Sequence, residues 1–541
     1  MTTNRPEVPV SERDRPLLSA LLILAVALLV AGLPLPLTDG VTARYGKIAK
    51  NLLASGDWLT LHHSQMPVVD KPPLTFWLMS LTFAAVGTAE WALRLWHLAL
   101  ALATAAATYA LARLALPRSE ALLAALILLT TGQFFYQSLV PEQHVPLALF
   151  LTLAVYWHLR WERGGAWYAP ALVALAAALA VLAIGIAGVV MVALVIGARL
   201  TIDRPRLPRG AAGAAMLGAA VFLAVAIPWF AIGVLRQGAP FVATFFLGGT
   251  LGVGRFFHPV QASPTVVPWW AGFGAYVLLL PLGFLPWTGW LWGALRDGWH
   301  ARRTDASPLW VCTLWVIVVV GFLSLSLGDK ASRYLLPVFP PLAVLAGHAV
   351  GKAAWARQAA VGALAAALPL LGIVTTVAVV KFPGDAARYA PLFWSFLLPF
   401  TGALAAYAVA TFLHRPKVGV VLLVLMTLLA YGLAMASVTR IWDAVSPWRP
   451  IARIVNRLGS PDAHVFILGD YNELADYYID RPVEFVGPGD LNRAWQRGRA
   501  VVVMPRDALS SLPAPRPILV SAAPAGLAVV SNFQPPALPP P

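Results

Sequence analysis

From Leu17 to Leu433 the chain is a succession of apolar runs separated by short polar stretches. Each run is long enough to cross, or nearly cross, a hydrocarbon core ~30 Å thick. Backbone groups in lipid are satisfied only internally, so the runs are predicted to be helices. The pattern predicts about thirteen spans, over residues 16–37, 91–113, 120–138, 145–161, 168–182, 185–200, 211–231, 268–293, 308–327, 334–351, 359–379, 391–413 and 417–437.

Three segments break this rhythm: 38–90, 232–267 and 438–541. The first predicts helices around Ala43 to Leu53 and Leu74 to Val86, the latter opened by Lys71-Pro-Pro, since proline suits a first helical turn. That second stretch is apolar but short, and reads as an interfacial helix lying against the membrane. The tail alternates strand and helix patterns. Val465 to Leu468 and Val501 to Met504 read as buried strands, Glu473 to Ile479 and Leu491 to Gln496 as helices, with a further strand near Ile518 to Ser521. The last residues, from Gln534, are rich in proline and are expected to stay extended. This divides the chain into a membrane domain, 1–437, and a small α/β domain, 438–541.

Composition agrees with the pattern. Of 541 residues 59% are hydrophobic and 12% charged, where a soluble domain carries roughly a quarter charged. The net charge of +15 does not point to nucleic acid, because the basic residues are spread through short loops. Arg113 and Arg118, Arg160 and Arg163, Arg199 to Arg209, Arg296 to Arg303, Lys352 and Arg357, and Arg415 and Lys417 fall in alternate loops. The positive-inside rule then puts those loops and the N-terminus in the cytoplasm and the tail outside, in the periplasm of a bacterial inner membrane. No small-residue cleavage site follows Leu33-Pro-Leu-Pro-Leu37, so the first run is expected to stay as a helix. The single cysteine, Cys312, lies in an apolar run and permits no disulfide framework.

Chemistry is therefore sought in the outer segments. Asp39, Arg44, Tyr45, Asp70 and Lys71 cluster in the first of them. Basic and aromatic residues at a membrane surface serve as headgroup anchors; equally, a phosphate-bearing ligand wants arginine or lysine, and a hydroxyl nucleophile wants a carboxylate base. His258 with Asp70, or with His62 and His63, forms a candidate set for a structural divalent metal, although no ligand spacing signature accompanies it. Glu473 and Tyr477 in the tail are candidates for overhanging a site and contacting a sugar.

Four stretches carry a resemblance. They are Ala43-Arg-Tyr-Gly-Lys-Ile-Ala49 with Ser55-Gly-Asp-Trp58, Asp70-Lys-Pro-Pro-Leu74, His144 to Ala154, and Leu323 to Leu342 with its Tyr334-Leu-Leu-Pro337. The chain resembles the integral-membrane glycosyltransferases of the C fold, closest to the lipid A aminoarabinose transferases and the related mannosyltransferase-like family. The resemblance implies a polyprenyl-phosphate-linked sugar as donor, an envelope lipid, glycan or protein as acceptor, inversion at the sugar, and no required cofactor. It assigns phosphate binding to Arg44, Tyr45, Lys71, Lys330, Arg333 and Tyr334. Where the family has acidic residues this chain has Val41, Thr42 and His144, and Ile184 stands in place of a lysine. The base is therefore expected to be Asp39 or Glu142, with His144 contacting substrate. The alternative is a binder of polyprenyl phosphate that has lost transfer. A secondary transporter is disfavoured, since the polar residues collect outside rather than at mid-membrane.

Overall fold

The computed structural model describes residues 11–63, 66–208, 210–248, 269–303, 307–326, 330–352, 354–365, 386–458, 462–513, 518–522 and 526–534. The expected span over 359–379 lies largely outside them, as does His258.

The membrane part is helical. Helix α1 (Arg15–Ala31) starts with proline in its first turn and stops at Gly32, six residues short of the expected end, because Pro34 and Pro36 cannot continue it. Asp39 caps α2 (Gly40–Ser55), whose last turn closes on Gly56. A short antiparallel pair, β1 (His62–His63) and β2 (Met66–Pro67), precedes α3 (Leu74–Val86). The 13 residues of α3 reach only about 20 Å at ~1.5 Å per residue, too short to span a bilayer upright. There follow α4 (Glu90–Ala112), α5 (Arg118–Thr130), α6 (Gly132–Leu139), α7 (His144–Glu162), α8 (Ala169–Ile184), α9 (Ile186–Asp203) and α10 (Ala211–Gln237). Helices Trp269–Gly283, Leu291–His300, Ser307–Leu325, Phe339–Val350, Ala386–Phe412 and Pro416–Val445 follow among the described residues.

Among the described residues eight helices are long and apolar enough to cross a membrane, and ten if two bent pairs each count as one span. One of these pairs is α5 with α6, bent by 63°. α7 and α8 coincide with predicted spans but are not among the ten. The chain is a polytopic α-helical membrane protein with a small α/β domain at its C-terminal end.

In that domain the sheet order is β4-β3-β5-β7-β6, from β3 (His464–Leu468), β4 (Val483–Val486), β5 (Ala500–Pro505), β6 (Ile518–Ala522) and β7 (Leu527–Ser531). β3 runs parallel to both β4 and β5, while β7 is antiparallel to β5 and β6. Val501 and Val503 pack on one face with Ile451 and Val455 of the helix Trp448–Arg457; Val502 and Met504 pack on the other with Leu491 and Trp495. Burial on both faces explains why β3 and β5 read as continuous apolar runs. β4, β7 and the helix Trp448–Arg457 were not evident from the pattern.

This domain is docked on the membrane part through the short helix Glu473–Tyr478. Tyr477 is 2% exposed and packs with Ile48, Leu52 and Leu93. Its hydroxyl donates to the Thr88 carbonyl at 3.1 Å, and the Tyr478 hydroxyl accepts from the Leu37 amide at 3.1 Å. The Lys47 ammonium lies 3.0 Å from the Asp476 carboxylate, both largely buried, and Lys50 Nζ donates to the Tyr477 carbonyl at 2.9 Å.

Candidate active site

Where α2, the break between α6 and α7, the start of α9 and the Ser332–Val338 turn converge, they enclose a cavity of about 310 Å³. Its polar side is formed by Arg44, Tyr45, Lys71, Glu142, Gln143, His144, Arg333, Tyr334 and, from the docked domain, Glu473. The rest of the lining is largely apolar, with Leu147, Ile184, Ile186, Val190, Met191 and Phe322. Ile184 thus adds to a greasy surface where a lysine would add charge.

α2 contributes two successive residues of the site. Arg44 lines the cavity, and among the described residues it makes no ion pair, so its guanidinium is open to an anion. Tyr45 is buried and packs 5.0 Å, centroid to centroid, from Phe76 of α3. Burial raises its pKa, so the phenol remains a neutral donor. Lys71 stands before Pro72, Pro73 and α3, with its ammonium 3.2 Å from the Asp70 carboxylate; Lys71 lines the cavity and Asp70 does not.

Glu142 lies on the tight connection into α7 and is 5% exposed. Its Oε2 is 3.3 Å from His144 Nδ1 and 3.8 Å from Arg333 Nε. The first contact lacks hydrogen-bond alignment, and neither atom has another hydrogen-bond partner among the described residues. Burial works to raise the Glu142 pKa, but the His144 ring and the Arg333 charge outweigh it and hold the carboxyl below its ordinary value. Glu142 is ionised near neutrality. Tyr334 closes this corner, its ring 5.3 Å from that of His144.

The structure separates other expected residues from the cavity. Asp39 accepts from the Thr42 amide at 2.7 Å and from its hydroxyl at 2.8 Å, an N-cap arrangement. Burial raises its pKa against those hydrogen bonds, and the side chain lines a separate, mostly apolar cavity of about 520 Å³ beside Arg94. Lys330 donates to the carbonyls of Leu323 at 2.8 Å, of Ser324 at 3.1 Å and of Ser326, and so satisfies the end of the helix Ser307–Leu325. Tyr477 is spent on docking, as above. Glu473 does reach the cavity: a Cβ on Gly40 would sit 3.0 Å from its Oε2, so glycine at the first turn of α2 admits this close approach. His63 is occupied by the Tyr471 hydroxyl at 2.9 Å, and among the described residues no group of three His, Cys, Asp or Glu side chains is placed to hold a metal.

Two contributors escaped sequence reasoning. Gln143 lines the cavity beside Glu142. Arg94 is 4% exposed, and its guanidinium donates to the carbonyls of Leu139, Leu33, Leu35 and Pro36, fixing the segment that leads into α2. An arginine inside an apolar span was itself the signal.

Residues 70–232 match the family described as dolichyl-phosphate-mannose-protein mannosyltransferase. The crystal structure of ArnT from Cupriavidus metallidurans bound to undecaprenyl phosphate superposes with a TM-score of 0.78 at 22% identity, covering 97% of this chain and 99% of that one. The fold is that of ArnT. The apo form of the same protein gives 0.77 at 20% identity, over 96% and 99% of the two chains. In sequence, the undecaprenyl phosphate-alpha-4-amino-4-deoxy-L-arabinose arabinosyl transferase of Pseudomonas aeruginosa is 31% identical over 318 residues, 57% of this chain and 54% of the relative. The chain thus spans about half the length of the curated relatives it matches. The expectation of a membrane C-type glycosyltransferase fold holds over nearly the whole chain.

Proposed function

We propose that the chain transfers a sugar from a polyprenyl-phosphate donor to an envelope acceptor, lipid A-like as the motif resemblance implies, at the outer face of the bacterial inner membrane. The observation that carries this is one cavity lined by Arg44, Lys71, Arg333 and a buried Glu142, held ionised with Arg333 3.8 Å away, together with apolar side chains. A phosphate monoester on a long isoprenoid needs cations at its head and hydrocarbon along its tail, and this cavity offers both. The similar fold of a protein crystallised with undecaprenyl phosphate supports the same ligand class.

In this account the acceptor hydroxyl attacks the anomeric carbon as the bond from that carbon to the phosphate oxygen breaks. The electron pair leaves with the phosphate, where Arg44, Lys71 and Arg333 stabilise the developing charge. The hydroxyl proton passes to Glu142, the base. Displacement from the face opposite the phosphate inverts the anomeric centre. Asp39 serves as the helix cap that holds α2, and Glu473 contacts the sugar or acceptor from the docked domain. The membrane domain then ends with the helix Pro416–Val445, some residues beyond the expected boundary at 438, and the domain exposed to the periplasm begins after it.

Mass spectrometry of lipid-linked sugars and envelope lipids in a deletion strain tests this. The expected result is accumulation of one polyprenyl-phosphate sugar with loss of one sugar-modified acceptor. Unchanged pools of both would contradict it.

A further inference from the structure

At the opposite end of α1 from the candidate active site lies a second polar pocket that the transfer reaction does not use. It is an open recess of about 560 Å³ between the N-terminal ends of α1 and α5, lined by Arg13, Arg15, Arg118, Tyr109 and Ser19, with Pro16 and Leu122 at its apolar edge. Among the described residues its single acid is Glu12, and that carboxylate is engaged: it accepts from the Ser119 amide at 3.0 Å and hydroxyl at 3.2 Å, and it pairs with Arg15 at 3.4 Å. The nearby Asp14 is taken by Lys417 and the Ser11 amide. Among the described residues Arg13 and Arg118 have no carboxylate partner. The recess sits where both helices turn apolar, and Leu17, Ile23 and Leu24 on the outward side of α1 are exposed. This arrangement suits a membrane edge, with the Arg13 and Arg118 guanidinium groups next to exposed apolar side chains.

We infer that this recess binds the phosphate headgroup of an anionic phospholipid, on the membrane face opposite the transfer site. Two guanidinium groups from different helices suit bidentate contact with a phosphodiester, Tyr109 and Ser19 add hydroxyl donors, and the positive ends of α1 and α5 add to the field. Basic pockets between membrane helices recognise acidic lipids on these grounds. A zwitterionic headgroup would bring its own cation into a recess already carrying three arginines against one engaged glutamate. The bound lipid would tie α1 to α5, as Glu12 already does from the protein side.

Native mass spectrometry of the full chain in neutral detergent, titrated with phosphatidylglycerol, phosphatidylcholine or inorganic phosphate, tests this. The wild type is expected to retain phosphatidylglycerol over phosphatidylcholine by about tenfold or more, as hydrogen bonds to charged groups permit. The pair Arg13→Gln with Arg118→Gln should lose that preference, and the pair Arg13→Lys with Arg118→Lys should keep part of it. If the glutamine pair does not fold, Arg13→Gln alone, at an exposed position ahead of α1, should show the loss at smaller size. Equal retention of the two lipids, or an unchanged preference in the glutamine variants, overturns the inference. Displacement of phosphatidylglycerol by inorganic phosphate at matched concentration would show a site for free phosphate and overturn the lipid assignment.

Discussion

Replacing Gly46 by alanine should lift the C-terminal domain off the membrane part. A Cβ at this position would meet the Tyr477 ring at less than contact distance and sit 2.7 Å from Leu93 Cδ1. The Leu93 methyl can yield. The Tyr477 ring cannot easily do so, because its hydroxyl is held on the Thr88 carbonyl and the Lys50 ammonium sits 4.3 Å above its face. Relief comes most directly by moving the helix Glu473–Tyr478 away from α2, which also breaks the Lys47–Asp476 pair and withdraws Glu473 from the cavity. Overpacking of this kind costs about 1–3 kcal/mol, a factor of about 5 to 150 in the ratio of docked to undocked forms. Hydrogen exchange at residues 473–478 and 40–50 reads that ratio, and exchange in β3 and β5 reports whether the domain itself stays folded. A double cycle adds a sharper condition: on a Tyr477→Leu background, the cost of Gly46→Ala should shrink, since the obstructing ring is gone. Unchanged exchange at the docking helix in a folded Gly46→Ala protein, or strictly additive costs in the cycle, would refute the reasoning.

Three further outcomes are expected. Lys71→Ala should weaken polyprenyl-phosphate binding by ~1.5–3 kcal/mol without unfolding the chain, measured by titration of the purified protein; unchanged binding moves the phosphate site elsewhere. Arg333→Gln removes a charge that lowers the Glu142 pKa, so the acid limb of the transfer rate should move to higher pH; because a depressed carboxylate contributes stability that is lost as pH falls through its folded pKa, the acid unfolding limb should move the same way. Asp39→Ala should cost about 0.5–2 kcal/mol of stability as a lost cap and reduce turnover far less than the ~10²–10⁴ expected of a base; a loss of that size would return Asp39 to the chemistry.

Much of this architecture was legible because the signals are local. Apolar run length marked the long apolar helices though not their number as spans, the shortness of the run from Leu74 kept α3 out of that set, and continuous apolar runs marked β3 and β5 as sheet interior. Arg44, Lys71, His144, Arg333 and Tyr334, which line one cavity, stand in the motif stretches, and Glu142 was offered beside them as a displaced carboxylate. What was missed depends on partners far away in sequence. Tyr477 reads as a polar residue on a small helix, and only its packing against α2, more than four hundred positions earlier, makes it an anchor. Lys330 reads as a cation beside Arg333, yet its chain reverses onto the carbonyls that end the preceding helix. Asp39 was a different kind of miss: an aspartate three residues before Thr42 at a helix start is a capping signal, and its nearness to Arg44 in sequence drew it into the site. β4 and β7 are short segments next to turns, where pattern alone is weakest.

The central claim is that Glu142, held ionised between His144 and Arg333, takes the acceptor proton. Its most direct test is transfer by purified Glu142→Gln protein, with donor binding measured on the same sample. Turnover should fall by about 10²–10⁴ while polyprenyl-phosphate binding stays within a few-fold of wild type, because the cations that hold the phosphate are untouched. Full turnover in the folded variant, or loss of donor binding in step with turnover, would contradict the account.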